Sequence, residues 1–198
     1  MTPYLNKVPF EHLIVDDYYN EEDLAGIWRE IETLHPLLLA PEFTQPAIQD
    51  GEVLKHNKGL YLDEYYRQRE DSYILGAGRK LFSDEVIGAA AQAHMFYSGV
   101  KYTNFDATLL SYYGESSYYK PHRDSYVFTA VTMLSKQPQG FSGGELVFPD
   151  YAHAVPFVNN RLILFPSFFL HAVQPVHMLN DEPMAGRYSI TQFCTMSM

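Results

Sequence analysis

From Tyr102 onward the sequence is a succession of short runs rich in β-branched and aromatic residues, and this pattern limits the available folds more than any other feature. The runs are Thr103 to Tyr113, Ser117 to Asp124, Tyr126 to Leu134, Gly144 to Phe148, Val155 to Phe168, His171 to Val176 and Arg187 to Cys194. Turn-forming clusters separate them: Gly114-Glu115-Ser116, Gln139-Gly140, Asn159-Asn160 and Asn180-Asp181-Glu182-Pro183. Short strands at this spacing predict an all-β barrel or jelly roll, which leaves few strand edges open.

The preceding residues predict support for that core. Phe10 to Val15 reads as a short strand. Asn20 is placed to cap a helix whose first turn holds Glu21, Glu22 and Asp23, where the helix dipole favours negative charge. Leu24, Ile27, Trp28, Ile31 and Leu34 then form one stripe of a 3.6-residue period, and Pro36 ends it. Pro36, Pro41, Pro46, Gly51 and Gly59 punctuate residues 36–60, which read as a long loop with a short hairpin. Loops of this length often lie over functional sites. A second helix is predicted from Ser83 to Tyr97, with Phe82, Val86, Ala89, Ala90, Ala93, Phe96 and Tyr97 on one face and Gly99 marking its end. The expected organisation is one domain over residues 1–198: strand-and-helix support in 1–100 and a β core in 101–198.

Charge and cysteine usage narrow the function. The net charge is −10, and the first 100 residues hold 8 basic against 17 acidic residues, which argues against a phosphate-backbone binder. Cys194 is the single cysteine, so no internal disulfide is possible and a reducing compartment is expected. The segment from Met1 to Lys7 lacks the apolar core of a signal peptide, and no stretch approaches the length of a membrane span. These features predict a soluble cytoplasmic protein with no nucleic-acid or membrane partner. Oligomeric state is not legible.

Four residues carry the chemistry. His122 and Asp124, in Tyr119-Lys120-Pro121-His122-Arg123-Asp124, stand two apart, so on a strand their side chains project to one side. An imidazole and a carboxylate so placed could take adjacent positions on one metal; a surface pair would look the same. A third ligand is offered by His171, 47 residues beyond Asp124. His177 is the rival, ten residues before Arg187 and in phase with His171; His171 is preferred for the Val173-Gln174-Pro175-Val176 context that follows it. Two histidines and one carboxylate form the facial triad used by non-haem Fe(II) oxygenases, whereas closed tetrahedral zinc would want a fourth ligand. In the last strand, period two puts Arg187, Ser189, Thr191 and Phe193 on one face. A guanidinium aimed into a barrel needs an anion: either an internal acid, or a dicarboxylate gripped through two hydrogen bonds, with Ser189 adding a further one. With Fe(II), Asp124, a dianion and Arg187, the charges cancel.

Taken in order, His122-x-Asp124, His171 and Arg187 resemble the Fe(II)/2-oxoglutarate-dependent dioxygenase superfamily, in its prolyl 4-hydroxylase-like branch. Tyr112-Tyr113-Gly114, Tyr119-Lys120-Pro121, Gly143-Gly144-Glu145-Leu146-Val147-Phe148-Pro149, His171-Ala172-Val173-Gln174-Pro175-Val176 and Arg187-Tyr188-Ser189 fit the same pattern, from about Thr103 to Phe193. The resemblance implies a mainly β fold with supporting helices, a distorted double-stranded β-helix (jelly roll). It implies an enzyme using Fe(II), 2-oxoglutarate and dioxygen to hydroxylate a C–H bond of a peptide residue, proline among them, or of a free amino acid or small metabolite. His122, Asp124 and His171 would hold the metal, Arg187 the distal carboxylate, and Tyr112 matches a family tyrosine that hydrogen-bonds the co-substrate. Retention of Asp124 implies hydroxylation, since related halogenases replace that carboxylate with a small residue.

Two departures stand out: the 16-residue step from His171 to Arg187 exceeds the usual spacing, which an extended hairpin from His177 to Gly186 would absorb, and Met133 stands where some relatives carry another co-substrate tyrosine. Nucleobase repair is disfavoured because Phe193 occupies the position of that branch's second arginine. A cupin lacks support without a His-x-His pair, and a non-catalytic metal-binding β-helix module is the alternative from another class.

Tyr119 and Tyr126 are candidates for a substrate cleft, whereas Tyr113 and Tyr118 read as packing residues. Arg123 is expected in a salt bridge, Gly143-Gly144 in a tight bend, and Cys194 as a buried hydrophobe. His12, His35, His56, His94 and His153 lack partners at ligand spacing.

Overall fold

Alternation along the predicted strands builds a layered molecule. The computed structural model describes residues 2–6, 9–103 and 105–196. Asn104, inside the expected Thr103 to Tyr113 strand, and Met1 and Lys7 of the N-terminal segment lie outside the described residues.

The larger sheet has seven antiparallel strands in the order Thr2–Asn6, His12–Asp16, Arg161–Pro166, Phe128–Leu134, Arg187–Thr195, Phe105–Tyr113 and Lys58–Tyr61. The smaller sheet has five: His153–Val155, Leu146–Phe148, His171–Val173, Tyr118–His122 and Lys55–His56. A ribbon of Phe141–Gly143 with Val176–Met178 accompanies them. Together they form the expected jelly roll with supporting helices.

Both faces of the larger sheet are covered, so its central strands are buried on both sides. Ile14, Val131, Met133, Ile163 and Phe165 point inward and pack with Leu146, Phe148, Val155 and Val173 of the smaller sheet. Leu13, Val15, Ala130, Leu162, Leu164, Tyr188 and Ile190 point outward onto the helices. The first helix spans Glu21–Leu34, and the Asn20 side chain caps it by accepting a hydrogen bond from the Asp23 amide at 2.8 Å. Ile27, Ile31 and Leu34 of the predicted stripe are buried, and Pro36 falls in a 3-10 turn that follows.

Three segments differ from expectation. The second helix starts as predicted, with Ser83 as its cap, but stops at Ala93. His94 is extended at φ −158°, and Met95–Tyr102 continues as 3-10 helix. Tyr97 is nonetheless buried, because the tighter coil turns it back onto the core. The expected Val155 to Phe168 run is split at Asn159-Asn160, where Asn160 takes φ +62°. Residues 36–60 are not one long loop. They contain the expected short hairpin, Ile48–Gln49 with Glu52–Val53, turned by Asp50 and Gly51 at positive φ, but then add an edge strand to each sheet. Among the described residues no helix is long and apolar enough to cross a membrane.

Candidate functional site

Pairing between strands assembles the site. In the smaller sheet His122 stands directly opposite His171, and their rings lie 4.3 Å apart. Each ring uses Nδ1 against the carbonyl two residues before it, Lys120 for His122 at 2.9 Å and Phe169 for His171 at 2.8 Å. A carbonyl only accepts, so Nδ1 carries the proton and the Nε2 lone pair is free in both rings. Both Nε2 atoms face Asp124: His122 to Oδ1 at 3.6 Å and His171 to Oδ2 at 3.4 Å. One ligand atom from each of the three residues can be chosen with all three within 4.8 Å of one another.

Asp124 reaches this point by a different route from the one strand alternation suggested. The strand ends at His122, and Asp124 lies in the following turn. Its amide donates to the Ser167 carbonyl at 3.0 Å, and the Thr129 hydroxyl donates to its Oδ2 at 2.7 Å. Thr129 also contacts the Ser167 hydroxyl at 2.8 Å, so the carboxylate is held from two sides. Burial alone would favour the neutral acid, but the neighbouring His171 and His122 and the Thr129 hydroxyl hold its pKa below the usual range. Burial, reinforced by the neighbouring His171, pushes the His122 imidazole down to about 4. A neutral imidazole is the form that binds metal.

His177, the rival ligand, is apart from this cluster: it is exposed, on the Val176–Met178 strand, with Nδ1 3.8 Å from Glu115. The long step to Arg187 is taken up by this strand, which pairs with Phe141–Gly143, and by the turn after it, in place of the hairpin expected from His177 to Gly186.

The triad opens into a cavity of about 300 Å³, with Arg187 and Ser189 in its walls. Arg187 is fully buried, and none of its three guanidinium nitrogens has a hydrogen-bond partner among the described residues. The expected alternative, an internal acid within ion-pair distance, is not found among those residues. Gly144, at φ +75°, lets the arginine pass: a Cβ there would stand 2.8 Å from Arg187 Cδ.

Tyr112 is a correction. Arg187 pairs across strands with Tyr113, and Tyr188 with Tyr112. Cross-strand partners share a face, so Tyr113 enters the cavity while Tyr112 faces the helix layer. There its ring packs 4.8 Å from both His35 and Tyr188. The Tyr113 ring lies 4.9 Å from the Arg187 guanidinium carbon, and Asn57 lines the same cavity. Tyr113, expected as a packing residue, is part of the inner core and also lines the cavity.

Of the two cleft candidates, Tyr119 stacks on His122 with centroids 3.5 Å apart, and its hydroxyl accepts from the Ala47 amide at 2.9 Å. Tyr126 lines the cavity mouth, stacked 4.8 Å from Phe193. Arg123 pairs with Asp150 at 3.0 Å, as expected for a rim salt bridge. Cys194 is buried and faces the helix layer. Lys55, Asn57 and Tyr61 also line the cavity; the sequence marks their stretch only as a segment that could cover the site, without assigning them roles. Thr129 is a further cavity residue, visible in the sequence only as a polar residue in phase with the inward Val131 and Met133.

A jelly roll that brings two imidazole nitrogens and a carboxylate together beside a cavity, with Arg187 in its wall, presents the donor set of a facial triad. Residues 107–195 match the profile of the 2OG-Fe(II) oxygenase superfamily, a match over just under half of the chain. The PKHD-type hydroxylase YbiX of Escherichia coli (strain K12 / DH10B) is 29% identical over 140 residues, an alignment covering 64% of this chain and 60% of that protein. The match thus spans less than two thirds of that relative's length. A Pseudomonas putida prolyl-4-hydroxylase superposes with a TM-score of 0.61 at 18% identity, covering 94% of this chain and 93% of the other. OsALKBH1 superposes at 0.58 with 14% identity, covering 96% and 99%. These two likenesses show a shared fold.

The residues present fit the groups that the superfamily implies, Fe(II) and 2-oxoglutarate with dioxygen. Two neutral imidazoles and one carboxylate suit Fe(II) and leave coordination positions open. The orphaned guanidinium suits the distal carboxylate of a diacid.

Proposed function

We propose that this protein is an Fe(II)- and 2-oxoglutarate-dependent dioxygenase that hydroxylates a C–H bond of a peptide residue, proline among them, or of a small molecule. The observation that carries the reading is the pairing of the His122–Asp124–His171 cluster with an Arg187 that has no hydrogen-bond partner among the described residues. The reaction converts R–H, 2-oxoglutarate and dioxygen into R–OH, succinate and carbon dioxide, one oxygen atom going to each organic product. Bound Fe(II) supplies the dioxygen activation that no side chain can perform.

The chain's own residues bind and orient. His122, Asp124 and His171 hold the metal, and the Lys120 and Phe169 carbonyls keep both imidazoles in the Nε2-ligating tautomer. Thr129 fixes the Asp124 carboxylate. Arg187 grips the distal carboxylate of 2-oxoglutarate, with Ser189 and the Tyr113 ring beside it. Tyr119 braces His122, and Tyr126 forms part of the substrate wall. The single buried thiol agrees with a reducing compartment, and we place the protein in the cytoplasm.

Succinate release from 2-oxoglutarate with Fe(II) tests this reading, alongside a mass-spectrometric screen for substrates that gain one oxygen. Turnover lost in His122→Ala and Arg187→Ala but kept in His177→Ala is the expected result. Full activity in His171→Ala would overturn the assignment.

A further inference from the structure

The cavity holds a second buried cation that 2-oxoglutarate leaves unanswered. Lys55 is only 5% exposed. It sits on a two-residue edge strand, a position from which lysines usually reach out to water, yet it lines the same cavity as the triad. Its cross-strand partner is Tyr119, the residue stacked on His122, and its Nζ lies 5.6 Å from the Tyr119 ring. One of its three ammonium protons is used, in a 3.0 Å hydrogen bond to the Thr44 carbonyl. Among the described residues it has no carboxylate within ion-pair distance.

Asp124 is the sole acid among the residues lining the cavity. Arg123, at the rim, is matched by Asp150. On the proposed function, Fe(II), 2-oxoglutarate, Asp124 and Arg187 sum to zero, and Lys55 adds one uncompensated positive charge. A buried unpaired charge is costly, so a ligand bringing one negative charge gains on entry what the lysine otherwise lacks. Tyr61, Tyr126 and Phe193 supply an aromatic wall in the same cavity. Its volume of about 300 Å³ lies at the lower end for small-molecule sites and would be shared with 2-oxoglutarate.

Resting on that reading, we propose that Lys55 anchors a carboxylate of the hydroxylated substrate, and that the substrate is a small carboxylic acid with an apolar body. A free amino acid and the C-terminal residue of a peptide present the same chemistry. Lys55 is thus a binding residue that selects for charge, and a neutral residue in mid-chain would leave it unanswered.

Calorimetric titration of protein loaded with Mn(II) and 2-oxoglutarate tests this without turnover. The probes are matched pairs: L-proline and L-leucine against their amides, and dipeptides ending in proline or leucine against their C-terminal amides. At least one acid should bind about tenfold or more tightly than its amide, the scale of one charge-assisted contact. Whether that acid is the free amino acid or the dipeptide identifies the source of the carboxylate. Lys55→Met should abolish the preference, Lys55→Arg should keep it, and both should bind 2-oxoglutarate as wild type does. Equal binding of acids and amides, or no binding by any acid, overturns the proposal. So does a Lys55→Met protein that loses 2-oxoglutarate, since the lysine would then serve the co-substrate. Failure of wild type to bind 2-oxoglutarate would instead overturn the underlying oxygenase reading, and this assignment with it.

Discussion

Replacing Arg187 with methionine should change stability and co-substrate binding in opposite directions. The arginine is fully buried, its three nitrogens lack partners among the described residues, and its main compensation is the Tyr113 ring at 4.9 Å. That cation–π contact is worth at most about 2 kcal/mol, while an uncompensated buried charge costs several. Methionine retains most of the aliphatic length and adapts to irregular space. The ligand-free variant should therefore gain about 1–3 kcal/mol, the scale seen when buried ionic groups give way to apolar ones. For a chain of this size that corresponds to a rise in Tm of roughly 2–12 °C. The same variant loses two charge-assisted hydrogen bonds to 2-oxoglutarate, at about 1.5 kcal/mol or more each, so affinity should fall by at least about 100-fold. Scanning calorimetry with and without 2-oxoglutarate reads both effects. A variant that melts lower than wild type and still binds 2-oxoglutarate normally would refute the reasoning, because the guanidinium would then have a structural partner.

Other substitutions probe separate parts of the site. Thr129→Val removes the hydroxyl that donates to Asp124 at 2.7 Å, and should weaken Mn(II) affinity by about 10–100-fold, measured by equilibrium dialysis. Tyr113→Phe should raise the KM for 2-oxoglutarate and Tyr112→Phe should not, since only Tyr113 shares a face with Arg187. Gly144→Ala forces a side chain to φ +75° against Arg187 Cδ, and should cost at least about 1–2 kcal/mol in urea denaturation.

How much the sequence discloses differs from residue to residue. Arg187 and Ser189 were legible because one long strand carries them, and period-two alternation alone decides their face. The Tyr112 assignment failed because it depended on the cross-strand register with Arg187, which no single strand reveals. His122 and His171 were legible as a set, yet their convergence depends on being direct partners across two strands 49 residues apart. Asp124 joins them through backbone and hydroxyl contacts beyond the strand end, information absent from residue spacing. Lys55 and Asn57 were hidden because their strands are two and four residues long or lie at a junction, too short for any period to show. In the second helix, the apolar spacing suited both α and 3-10 coils, so His94 as a break left no signature in the pattern.

The most direct test of the central claim is metal stoichiometry by elemental analysis after anaerobic dialysis against Fe(II), for wild type and for the His122→Ala, Asp124→Ala, His171→Ala and His177→Ala variants. Wild type and His177→Ala should retain one iron per chain, and the other three variants should retain little. Iron kept in His171→Ala, or lost in His177→Ala alone, would contradict the account.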